Sequence, residues 1–157
     1  MKLKYKIYYI FLAAVTVIIF MGLFKVLEIK NVDISQIQKA ISESTDLSIM
    51  NEDDGTDLRK LYNINKYDLE EVIYYSPKSN MEANEILIIK PKSQNDIKSI
   101  KEKINSRVEK QSNSFKNYDM EQYEILSHHV LDEKSGYIIL IISDDSKAIE
   151  QSINKVF

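Results

Sequence analysis

The stretch ANEILIIKP (83–91) decides how this chain is read. Its centre, Ile86-Leu87-Ile88-Ile89, is apolar at consecutive positions. Successive side chains of a strand point to opposite faces, so such a run is buried on both sides and belongs in the middle of a sheet. EVIYYS (71–76), rich in β-branched and aromatic residues, predicts a partner strand just upstream. The seven residues Pro77–Ala83 between them fit a hairpin loop.

Downstream, Ser93 is placed as a helix cap with Asp96 at the third position. Ile97, Ile100, Ile104, Val108, Gln111 and Phe115 then recur at spacings of three and four, which predicts a long amphipathic helix with one buried stripe. Asp119 and Gln122 mark the start of a short second helix. Ser127–Asp132 and Tyr137–Ser143 read as strands around the turn EKSG. A last helix follows, capped by Asp144 or Asp145, with Ala148, Ile149, Ile153 and Val156 facing inward.

Upstream, Asp33 caps a first helix, with Gln36 completing a capping box and Ile34, Ile37 and Ile41 on one face. NEDDGTD (51–57) reads as a polar break, and Leu58, Leu61 and Tyr62 as a short helix or turn. The expected fold class is α+β. A four-stranded, largely antiparallel sheet is packed by helices on one face, in the order helix-strand-strand-helix-strand-strand-helix.

The chain opens differently. Ile7 to Phe24 is an uncharged run of eighteen residues. As a helix it would be about 27 Å long, close to the hydrocarbon thickness of a bilayer. Tyr5, Tyr8 and Tyr9 cluster at one end, where amphipathic rings favour the interface. Lys2, Lys4 and Lys6 precede the run and place the N-terminus in the cytoplasm. The run ends without the paired small residues of a cleavage site, which favours a retained anchor over a removed signal. The expected organisation is a cytoplasmic tip and transmembrane anchor over 1–30 and an extracytoplasmic domain over 31–157. The lipid bilayer is the expected partner of residues 7–24. Ala13 and Gly22 lie nine apart, so the anchor lacks a small-xxx-small pairing motif.

Charge and composition narrow the function classes. Residues 31–157 carry 16 Lys plus Arg against 23 Asp plus Glu, a balance of −7. Residues 1–30 carry five Lys against Glu28. An acidic domain is a poor fit to nucleic acid or to an anionic lipid surface. The chain has no cysteine, so disulfide stapling, thiol catalysis and lipobox lipidation are excluded. With glycine only at 22, 55 and 136, no nucleotide-binding glycine loop and no nucleophile elbow can be built.

The remaining candidate sites read as ordinary surface or core. His128 and His129 are adjacent, and neighbours on a strand point to opposite faces, so they do not grip one ion. In MNEDDGTD, aligning Gly55 with an EF-hand glycine puts Met50 and Leu61 where carboxylates are required. Asp53, Asp54 and Asp57 are then residues of a solvated loop. The one S-x-x-K match, Ser152 to Lys155, sits on the last helix. Tyr67, Tyr74, Tyr75, Tyr118, Tyr123 and Tyr137 divide between core and binding surface. No catalytic residue, cofactor-binding residue or metal ligand is assigned.

From Leu58 to Ile153 the chain resembles a bacterial family called domain of unknown function 4358. Three features carry the resemblance after the L-Y-x-I-x-x-x-D-L turn (Leu61 to Leu69). They are the MEANEILIIK strand, the helix ending R-x-x-x-Q-x-x-x-F-x-x-Y (Arg107, Gln111, Phe115, Tyr118) and the closing GYIILIISDD. The resemblance implies an anchored envelope protein of Gram-positive type and carries over no activity. Two functions stand as expectations: a non-enzymatic accessory module binding an envelope protein or a small ligand, and a carboxylate-dependent envelope hydrolase.

Overall fold

The computed structural model describes residues 8–9, 11–20 and 32–157. The chain forms two compact units, Met1–Asn31 and Val32–Phe157. In the first, the described residues are helical and almost all exposed, with Phe11, Ile18 and Phe20 each more than 60% accessible. Thr16 Oγ1 donates to the Leu12 carbonyl at 2.9 Å, so the one polar side chain between 11 and 20 is satisfied within its own helix. Among the described residues, no helix is long and apolar enough to cross a membrane. The expected span 7–24 includes residues 7, 10 and 21–24, which lie outside the described ones.

The second unit is α+β, with a five-stranded antiparallel sheet. Its helices are α1 (Ile34–Ser42), α2 (Leu58–Tyr62), α3 (Ile97–Phe115), α4 (Met120–Ser127) and α5 (Ser146–Asn154). Its strands are β1 (Met50–Asp53), β2 (Leu69–Pro77), β3 (Glu85–Pro91), β4 (Val130–Lys134) and β5 (Tyr137–Ile142), in the order β1-β2-β3-β5-β4. The ILII strand is therefore central, as its sequence requires. Leu87 and Ile89 enter one apolar core with Ile100, Ile104, Val108 and Leu126 from α3 and α4. Ile86 and Ile88 enter a second core with Ile37, Ile41, Ile149 and Ile153 from α1 and α5.

Several expectations are corrected. The sheet has five strands, because β1 begins at Met50 and runs into the stretch read as a polar break. An edge strand joins one ladder only, and three of its four side chains stay at least partly exposed, so it shows no apolar alternation. Helices cover both faces rather than one, since Ile86–Ile89 of β3 and all of β5 place apolar side chains on both faces, and these must be buried. β4 starts at Val130, because Ser127 ends α4 and His128 caps it. Asp145 caps α5 without a side-chain hydrogen bond; the Ser146 hydroxyl instead engages the Ser143 carbonyl and accepts from the Ser143 amide at 3.1 Å. Ala148 is exposed, while Ile149 and Ile153 are buried as expected.

Local chemistry fixes the remaining ends. Asp33 and Asp119 each accept from an amide in the first turn of their helix. The β4–β5 turn places Ser135 and Gly136 at φ 49° and 82°, the two left-handed positions of a tight hairpin.

Candidate ligand-binding cleft

A cleft of about 540 Å³ opens between α2, the β2–β3 loop and the C-terminal half of α3. Lys60, Glu82, Arg107, Lys110, Gln111 and Tyr118 are among the side chains that line it. Arg107, Gln111 and Phe115 stand four apart on α3, so one helical stripe presents all three to the cleft. The β2–β3 loop is held in place where the Ala83 amide donates to Gln122 Oε1 at 2.7 Å. Asn63 ends α2 in the left-handed conformation, and Lys103 Nζ donates to its carbonyl at 2.9 Å, tying α2 to α3.

Beneath the cleft lies a buried polar cluster. Glu85 has no exposed surface. Its carboxylate accepts from Arg107 Nη2 at 3.3 and 3.0 Å and from the Tyr74 hydroxyl at 2.6 Å. The Arg107 guanidinium also stacks over the Tyr62 ring, 4.8 Å from its centroid, and Tyr62 meets Tyr74 edge to face. Burial pushes the Tyr74 hydroxyl upward in pKa, and the Glu85 charge adds to the rise. Tyr62 is pushed up by burial and then by Glu85 in the same way. For Arg107 burial pulls downward, but the Glu85 carboxylate and Tyr62 outweigh it, so the guanidinium is held charged. The cluster therefore orients a cation whose side chain is still 14% exposed.

Four polar atoms of this region are buried without a hydrogen-bond partner among the described residues: Tyr62 Oη, Glu82 Oε2, Arg107 Nε and Gln111 Oε1. Buried polar groups are nearly always paired in folded proteins, so their concentration here marks the region. A second hollow of about 550 Å³ adjoins, and Lys60, Arg107 and Lys110 line both.

The other sequence candidates fall outside the cleft or on its rim. His128 Nδ1 lies 2.9 Å from the Glu124 carbonyl and His129 Nδ1 lies 2.7 Å from the Leu126 carbonyl, so both rings turn back onto the end of α4. Asp53 accepts from the Gly55 amide at 2.7 Å, and Asp54 engages Thr56 and Lys66. The Thr56 hydroxyl, followed by Lys66, lowers the Asp54 carboxyl to a pKa of about 2. Among the described residues no three His, Asp or Glu side chains could hold a metal. Asp57 does line the cleft. Ser152 and Lys155 close the end of α5, where the Lys155 amide donates to the Ser152 carbonyl.

Of the tyrosines, Tyr67 is exposed, Tyr123 is half-buried and packs on the first core, and Tyr75 belongs to the second core. The Tyr137 hydroxyl lies between the Glu71 carboxylate and the Val32 carbonyl. Tyr118 stands on the cleft rim against Phe115, with ring centroids 5.4 Å apart. Residue types alone did not bring Glu85, Tyr74, Tyr62 and Arg107 together. The available signals were a glutamate opening an apolar strand and an arginine next to the buried stripe of α3.

No curated protein matches the chain, and no solved structure matches it either. The family profile described as Domain of unknown function (DUF4358) matches residues 43–143, from the end of α1 through β5. That span holds Glu85, Arg107 and all of the cleft lining, and by it the chain belongs to the DUF4358 family.

Proposed function

We propose that this protein is a non-enzymatic accessory module of the cell envelope, held at the membrane by residues 7–24, with the α2–α3 cleft as its ligand seat. The observation that carries this reading is Arg107, fixed by Glu85, Tyr74 and Tyr62 while its guanidinium borders the cleft. A buried ion pair is a weak source of stability, so its place beneath a cleft supports recognition as its role. The cleft volume lies within the roughly 300–1,000 Å³ of small-molecule sites.

Anchoring is supported by the uncharged run itself, by the exposed apolar side chains of its described part, and by the internally satisfied Thr16. The tripled lysines before it orient the acidic domain to the outside. The hydrolase alternative needs two free carboxyls facing a substrate. Glu85 is committed to Arg107 and Tyr74, Asp57 and Glu82 line the cleft, and no observation pairs those two as acid and base.

In-cell crosslinking of the full chain, followed by alkaline washing of membranes and mass spectrometry, tests the proposal. Retention of the chain in washed membranes, with a partner or ligand crosslinked at Lys60, Lys78 or Lys110, is the expected result. Release by the wash would remove the anchor, and crosslinks confined to surfaces away from the cleft would remove the ligand seat.

A further inference from the structure

The polar groups of the cleft are of two kinds. Lys60, Lys78 and Lys110 are exposed and form no ion pair with any described residue, although the domain as a whole is acidic. Lys60, Arg107 and Lys110 each line both hollows. Three cations shared by the two hollows suit a single oxyanion, and arginine adds directional donors that a lysine lacks. Two other residues of the same lining, Gln111 and Glu82, each hold a buried acceptor with no donor among the described residues, Gln111 Oε1 and Glu82 Oε2. An acceptor with no donor among the described residues is one that a ligand N–H can serve. Asp57 on the lining also favours a donor. The apolar part of the wall comes from Leu61, Phe115 and Tyr118.

An oxyanion alone answers only half of this lining. Inorganic phosphate would meet the lysines but would set further negative charge against Glu82 and Asp57. A ligand with a carboxylate at one end and an N–H donor at the other answers both halves. We infer that the cleft receives an amino acid or short peptide, its free carboxylate against Lys60, Arg107 and Lys110 and an N–H donor against Gln111 and Glu82. This inference rests on the reading of the cleft as a ligand seat and adds the chemistry of what sits there.

Calorimetry on the full chain in nonionic detergent micelles tests it with four probes. They are L-alanyl-L-phenylalanine, its C-terminal amide, 3-phenylpropanoate and inorganic phosphate. The dipeptide is expected to bind. The amide, which lacks the carboxylate, and phenylpropanoate, which lacks the N–H, are each expected to bind at least ~10-fold more weakly. The double substitution Lys60→Gln with Lys110→Gln removes the preference for the dipeptide over its amide, and Lys155→Gln leaves it unchanged. Both lysines are exposed, so circular dichroism of the double variant should match the parent.

Equal binding of dipeptide and amide overturns the inference. So does tighter binding of phosphate; if that binding is lost in the double variant, the cleft survives as a ligand seat and only the ligand class falls. Silence from all four probes, with an envelope protein crosslinked at Lys78 or Lys110, also overturns the ligand class and keeps the seat. The same silence with crosslinks only elsewhere overturns both.

Discussion

Arg107 donates from one nitrogen, Nη2, to both carboxylate oxygens of Glu85, and the carboxylate is wholly buried while the guanidinium borders a cleft. The pair joins the C-terminal half of α3 to the first residue of the central strand β3. It thus couples the wall of the cleft to the most buried part of the sheet.

Removing one partner should cost more than removing both. Arg107→Ala leaves Glu85 charged and buried, with only Tyr74 to hydrogen-bond it, and should destabilise by about 3–5 kcal/mol. A combined Glu85→Leu, Arg107→Met variant should lose much less, because no charge is left uncompensated. Urea unfolding of the three proteins measures both. Equal losses in the single and combined variants would contradict the pairing.

The buried tyrosines set the alkaline limit of the fold. Tyr62 and Tyr74 are held above their ordinary pKa of 10.0, first by burial and then by Glu85. Below pH 10 both folded and unfolded chains keep these protons, and the stability is fully present. Above it the unfolded chain releases protons that the folded chain retains, so stability falls as pH rises toward the folded pKa, by up to about 1.4 kcal/mol per pH unit for each tyrosine. Tyr74→Phe should lower stability at neutral pH and make the alkaline fall shallower. Unfolding curves taken at increasing pH read the slope, and an unchanged slope would mean Tyr74 titrates normally.

Asp54 provides an acid-side check on the β1–α2 turn. Its carboxyl titrates at about 2, held down first by the Thr56 hydroxyl and then by Lys66. Its share of stability is therefore present above the ordinary value of 3.8 and lost as pH falls through 2. Thr56→Val should raise the Asp54 pKa toward 3.8, as followed by carboxyl carbon chemical shifts. A pKa that stays near 2 in the variant would assign the depression to Lys66 and the residue-56 amide instead.

The two faces of β3 should respond alike to truncation. Leu87 and Ile88 are both fully buried, in different cores. Leu87→Ala and Ile88→Ala should each cost about 2–5 kcal/mol. Thermal or urea unfolding distinguishes this from a sheet covered on one side, for which one of the two changes would be nearly neutral.

Most helices and strands were legible because their signal is local. The stripe Ile100, Ile104, Val108, Phe115 repeats with the period of a helix, and the caps Asp33 and Asp119 stand where first-turn amides need acceptors. The three inner strands, and the edge strand β4 through Val130 and Leu131, carry enough apolar or β-branched residues to announce themselves. β1 does not, because an edge strand can be polar on its outer side and is defined only by the neighbour it pairs with. The double apolar run of β3 already demanded cover on both faces; which helices supply it depended on how the chain returns over the sheet. α1 and α5 come together on one side although more than a hundred residues separate them.

By itself the sequence determined the class of fold, the central strand, the family and the absence of thiol and glycine-loop chemistry. Only the tertiary structure decided the site. Glu85, Arg107, Tyr74 and Tyr62 lie on four different elements, and no spacing rule links a strand's first residue to the third turn of a helix that follows it. What joins them is the cost of burying a charge, which is met only when distant parts of the chain converge on it.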